Sequence, residues 1–147
     1  MIISFLTLHI LSAVIWVGGM FFAHQMVRPS VGALDAPARL TLWRNIFARF
    51  FNWAWAAIVL LLVTGFGMES HGIKGLHVII MESLGIIMML AFAHLFFSPW
   101  KRFRIAVDGG DFPVAAVQLN KIRRIVEFNL LLGLIVVAVG ATGRYWG

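Results

Sequence analysis

Hydrophobic positions along this chain come in four long runs, at about 2–27, 50–68, 76–98 and 122–142, separated by three polar stretches. A helix crossing a bilayer needs about 20 mostly apolar residues, and each run is near that length. In lipid every backbone N–H and C=O must be paired within the protein, so such runs are read as helices. The pattern predicts an all-α integral membrane protein, one membrane domain over 1–147. Short connections between consecutive spans make them antiparallel neighbours, hence an up-down four-helix bundle.

The polar stretches refine this picture. The first, 28–49, carries Ala38, Leu42 and Ile46 at helical spacing and predicts a short amphipathic helix on the membrane surface. The second, ESHGIKG, is a tight connection. In the third, GGDFP marks a turn, and Pro113 suits the first turn of a helix leading into the last span. The tripeptide MES occurs twice, at 68–70 and 81–83, and is the only repeat expected to stand out.

Composition agrees with the class: 61% of residues are hydrophobic and 12% charged, too little polar surface for a soluble domain. The absence of cysteine excludes disulfides, thiolate metal sites and iron–sulfur ligation. No Lys or Arg precedes the first run and no small-residue cleavage site follows it, so it reads as a retained span. The net charge of +6 comes from basic loops and implies no nucleic acid.

Of the 12 Lys and Arg residues, Arg28, Arg39, Arg44, Arg49, Lys101, Arg102, Arg104, Lys121, Arg123 and Arg124 fall in or beside the first and third loops. Lys74 and Arg144 lie on the other side. The positive-inside rule places the basic loops in the cytoplasm and both termini outside, in a cytoplasmic (inner) membrane. Trp43, Trp53, Trp55 and Trp100 then read as anchors at the inner interface, and Trp146 at the outer one. Gly18, Gly19, Gly65, Gly67, Gly85, Gly133 and Gly140 read as points of close helix approach.

Ionisable residues within spans are costly and mark functional sites by default. Here they are His9, His24, His77, His94, Glu82 and Glu127. The first and third spans each hold two histidines, at two depths, about 22 Å apart in one and about 25 Å in the other. Bundles that stack two haems across a bilayer use this arrangement, because neutral imidazole suits haem iron and an apolar core keeps the macrocycle dry. His9 and His77 form the outer candidate pair, His24 and His94 the inner one. At 100° per residue, His24 lies about 60° round from His9, but His94 lies about 100° from His77. His9 is also close in depth to Glu82, and a plain hydrogen bond between them is the competing expectation. Arg28, Arg44, Lys101 and Arg102 stand near the inner pair and suit haem propionates; otherwise they are topology determinants. Glu127 is expected to pair with a base of the inner cluster. A softer constellation gathers at the outer end: Met1, Met68, His71, His77 and Met81, with Glu69 and Glu82 nearby. Thioether and imidazole suit Cu(I), whereas methionine is also ordinary filler in apolar helices.

Three stretches carry a resemblance. LHILSAVIWVGGMFF, with Leu8, His9, Trp16, Gly18 and Gly19, resembles the first helix of CopD-type copper-resistance membrane proteins. It is also similar to the first motif of the HemJ-type protoporphyrinogen oxidases, whose second histidine corresponds to His24. GLHVII, with His77, resembles the start of their third helix, and RRIVEFNLL the entry to the last helix of both groups. The resemblance implies a bundle that binds b-type haem or takes part in copper handling. HemJ-type members carry a lysine two residues after the third-helix histidine, where this chain has Ile79.

The leading expectation is therefore a b-type haem protein engaged in electron transfer or redox chemistry, an enzyme or not. One or two haems would be held by His9, His24, His77 and His94. Its partner would be a quinone, another redox protein or a second copy in a homodimer. The alternatives are a CopD-like copper-binding module using Met68, His71, His77 and Met81, and a cofactor-free assembly subunit.

Overall fold

The structure is a computed structural model that describes residues 1–146. Four helices follow one another: α1 (Ile2–Ala33), α2 (Ala36–Ser70), α3 (Leu76–Asp108) and α4 (Phe112–Tyr145), each long and apolar enough to cross a membrane. No strand occurs among the described residues. The chain is an all-helical, membrane-spanning up-down bundle. Exposed Ile10, Val14, Val63, Leu90 and Leu131 give its outer faces to lipid.

The helices run 32 to 35 residues, about 50 Å each, against a hydrocarbon core of about 30 Å. The excess lies at the basic end. The expected surface helix around 38–46 is thus the start of α2, and most of the third polar stretch is helix too, continuing α3 through Lys101–Asp108 and opening α4. Helical hydrogen bonding does not stop where hydrophobicity does, so charged turns simply extend each rod. Only Leu34–Asp35 and Gly109–Asp111 remain as connections at this end. Asp35 accepts from the Ala38 N–H at 3.0 Å and Asp111 from the Val114 N–H at 3.4 Å, side-chain caps for N–H groups that have no partner within the helix. A proline follows each cap in the first helical turn, as expected for Pro113.

These caps belong to a repeat whose matched residues are spaced along the chain. Phe22-Ala23-His24, then Pro29, recurs with identical spacing as Phe92-Ala93-His94, then Pro99; Asp35-Ala36-Pro37 recurs as Asp111-Phe112-Pro113. The MES tripeptides are therefore not the only repeat. The matched prolines and capping aspartates sit at corresponding ends of the two hairpins, whereas Phe22 is exposed and Phe92 buried. Each first helix of a hairpin passes through a π-helical turn, Ala23–Val27 in α1 and Phe96–Trp100 in α3, before the capped start of the second. The molecule is two similar hairpins, α1–α2 and α3–α4.

Packing is uneven along the bundle. Within each hairpin the helices run side by side, α1 closes on α4, and α2 meets α3 chiefly through Lys101–Asp108. At the basic half a block of rings fills the gap between hairpins. Phe47 stacks on Trp43 at 4.9 Å and on Phe51 at 5.0 Å. Phe51 meets Trp100 at 5.1 Å and Phe92 at 5.4 Å, and Trp55 meets Phe92 at 5.1 Å. Trp43 and Trp100 are therefore core residues, not interface anchors, and Trp55 is half-buried; only Trp53, 62% exposed, keeps the anchor position at this end. Asn129 ties the second hairpin by donating to the Met88 carbonyl at 3.1 Å. Close approach falls at Gly133, where a Cβ would meet Val17 and Met88, and at Gly19, where it would meet Phe50; Gly18 and Gly85 face open space.

The ion pairs at the basic end sit at the surface. Arg44 donates to both Asp108 oxygens, at 3.0 and 3.2 Å, joining α2 to the end of α3. The pair is well exposed, so Arg44→Ala is expected to lower stability by less than about 1 kcal/mol. A detergent unfolding midpoint that drops steeply would contradict this.

Candidate functional site

At the half of the bundle opposite the bases the hairpins are not filled by rings, and a cavity of about 270 Å³ lies between them. Trp16, Val17, Leu61, Val78, Ile86 and Val136 supply its apolar walls. Against these stand a few chemically distinct groups: His9 from α1, Met68 and Glu69 from the end of α2, and Met81, Glu82, Met88 and Met89 from α3. Small residues make the room. Gly65, Gly85 and Gly133 all border the space, and Gly140 leaves a place for the Met81 sulfur.

His9 is set by Thr64, not by Glu82 as the depth argument expected. Its Nδ1 lies 2.8 Å from Thr64 Oγ1, and that hydroxyl donates to the Leu60 carbonyl at 2.6 Å. The single hydroxyl proton of threonine is thereby used, so Thr64 accepts from Nδ1–H. The neutral imidazole then carries its lone pair on Nε2, the tautomer a metal ligand requires. Thr64 was not picked out in the sequence. The available signal was a hydroxyl on the antiparallel neighbour about as far from the 71–75 turn as His9 is from the N-terminus.

Glu69 and Glu82 come close enough to interact, where α2 ends and α3 begins. No three His, Asp or Glu side chains converge on one point among the described residues. A nitrogen-and-oxygen cage is thus not what the cavity offers; its character comes from thioethers beside one imidazole and a carboxylate pair.

The remaining candidates lie elsewhere. His77 is packed against Gly143 of α4 and does not line the cavity. His71 caps the end of α2, its Nδ1 2.7 Å from the Gly67 carbonyl, and packs on Phe5. Of the expected copper set, Met68 and Met81 are brought together and His71 and His77 are not. His24 donates from Nε2 to Glu127 at 2.9 Å and accepts from the Gln25 amide at Nδ1, at 3.0 Å. Arg28 donates to the same Glu127 oxygen at 2.6 Å, so Glu127 pairs with the inner bases as expected. His94 is exposed on the outer face of α3, with Lys101 and Arg102 exposed beyond it. The two inner histidines do not face a common space.

Four apolar helices in two hairpins, enclosing a half-membrane cavity with thioether and imidazole walls, define a small polytopic membrane protein with a buried polar site. The family model described as CopD, copper resistance protein D, matches residues 44–142, about two thirds of the chain, and the chain belongs to that family. The match takes in Met68, Glu69, Met81 and Glu82. It begins beyond α1, so the helix carrying LHILSAVIWVGGMFF, and with it His9 and His24, lies outside it. No curated protein and no solved structure matches the chain.

Proposed function

We propose that this chain is a copper-handling membrane protein that takes Cu(I) as cargo into the cavity between its hairpins. Met68 and Met81 with the Nε2 of His9 form a soft donor set of the kind Cu(I) prefers. Glu69 and Glu82 lie nearby, where negative charge attracts a cation. The observation that carries the reading is the meeting of thioethers, imidazole and paired carboxylates in one cavity of a CopD-family bundle. With the basic loops in the cytoplasm, the cavity belongs to the outer half of the membrane. The test is anaerobic Cu(I) titration of the purified protein in neutral detergent against a chromophoric chelator. Binding of about one ion per chain is expected for a single soft site; no retention in competition would overturn the reading.

The b-type haem reading rests on His9, whose free Nε2 borders the cavity. No second histidine lines that cavity, and about 270 Å³ is below the roughly 300–1,000 Å³ typical of drug-sized ligands. Haem chemistry would also require an electron partner, a quinone or another protein. A Soret band from haem-replete cells that disappears in His9→Ala would favour haem over copper.

A further inference from the structure

Buried polar atoms are nearly always hydrogen-bonded, so the exceptions are informative. Two such exceptions border one small space at the basic end. The Trp43 indole Nε1 and the Arg123 Nε are both buried and have no hydrogen-bond partner. Both residues line a space of about 20 Å³, together with His24, Arg28 and Phe47. Trp43 is only 2% exposed, and the Arg123 guanidinium carbon sits 5.9 Å from the centre of its ring.

The chemistry of these donors limits what satisfies them. Indole and guanidinium nitrogens donate and never accept. Of the neighbouring acceptors, His24 Nδ1 takes the Gln25 amide and Glu127 Oε1 takes both His24 and Arg28, and neither Trp43 Nε1 nor Arg123 Nε reaches any of them. A water of fitting size would accept from both N–H groups but find little to donate to. An anionic atom accepts without donating. Charge points the same way, since Arg28 and Arg39 lie close to Arg123 and Glu127 is the one carboxylate beside them.

We infer that this space is an anion site, separate from the cavity of the opposite half, where one anionic atom accepts from Trp43 Nε1–H and Arg123 Nε–H. The atom is a halide or a single oxygen of a lipid phosphate; both supply the same acceptor, and the volume admits one atom. The site bridges α2 and α4, so its occupant joins the two hairpins.

The test uses the whole protein in neutral detergent after lipid removal. Its unfolding midpoint is followed in potassium chloride and in potassium gluconate at equal ionic strength, then in gluconate with added phosphatidylglycerol. The variants are Trp43→Phe, which keeps the ring and loses the N–H, and Arg123→Lys, which keeps the charge and loses the planar fork. A midpoint raised by a few degrees in chloride, and lost in both variants, supports a halide. A rise seen only with the lipid, and lost in both variants, supports a phosphate oxygen. Equal midpoints under all three conditions overturn the inference, as does a rise that survives Trp43→Phe and Arg123→Lys, since that would report the general positive charge of this end. Where a variant does not fold, diffraction from crystals of the unaltered protein grown with bromide and phosphatidylglycerol replaces it: anomalous bromide or a lipid phosphate beside Trp43 supports the inference, and the absence of both overturns it.

Discussion

Replacing Met68 and Met81 together by leucine is expected to abolish competitive Cu(I) binding while leaving the bundle folded. Leucine keeps nearly the volume and apolar character of methionine, so packing changes little; what disappears is the pair of polarisable sulfur donors that distinguishes this cavity from an ordinary apolar void. His9→Ala removes the only imidazole on the wall and is expected to have an effect of the same order. Thr64→Val gives the sharper test. It touches no copper, keeps the side-chain shape, and removes the acceptor that holds the His9 proton on Nδ1. Loss of such an orienting partner costs on the order of 10–100-fold in metal affinity. His71→Ala, outside the cavity, is expected to leave affinity unchanged. Chelator competition across these four proteins checks the set, and a Thr64→Val protein with unaltered affinity would mean that His9 is not a ligand.

Phe51→Ala carries the largest expected loss of stability, about 3–5 kcal/mol, the range for removing a buried aromatic ring. Its ring meets those of Phe47, Phe92, Phe96 and Trp100, drawing on α2 and both parts of α3. Lipid tails are as apolar as the core, so packing and not hydrophobic transfer holds membrane helices together. A ring deleted at this junction removes contacts that nothing nearby replaces, and the hairpins are expected to part here first. Trp53→Ala serves as the control. It deletes a larger side chain one turn or less away, but one 62% exposed, and should change the unfolding midpoint little. Equal losses in the two variants would show that the ring block does not hold the hairpins together.

The contrast between Phe51 and Trp53 also marks how far the sequence could be read. The four spans, the helical class, the turn at GGDFP and the pairing of Glu127 with the inner bases were legible. Hydropathy reports directly on lipid, Gly and Pro on the backbone, and a carboxylate among many arginines has few other partners. The roles of Trp43, Trp55 and Trp100 were not legible, because an aromatic near a membrane interface serves equally as anchor or core, and only its helix's rotation decides. The repeat stayed hidden because its matched residues are few and widely spaced.

The histidines show the same division more finely. The angle between His77 and His94 already argued against a shared face, and the structure has one against Gly143 and the other exposed. His9 and its partner were out of reach of that reasoning. Depth alone could match it to Glu82, but a hydrogen bond needs depth and rotation together, and that pair of coordinates placed Thr64 beside it.

Hydropathy and charge along the chain suffice for a four-span helical membrane protein with its bases gathered at one end, because lipid imposes those terms on each segment separately. Which groups share the cavity, which histidine keeps a free lone pair, and which rings bind the hairpins depend on how four helices turn towards one another. That is decided by packing between segments distant in sequence, with Gly133 and Gly140 yielding space and the ring block closing the other half.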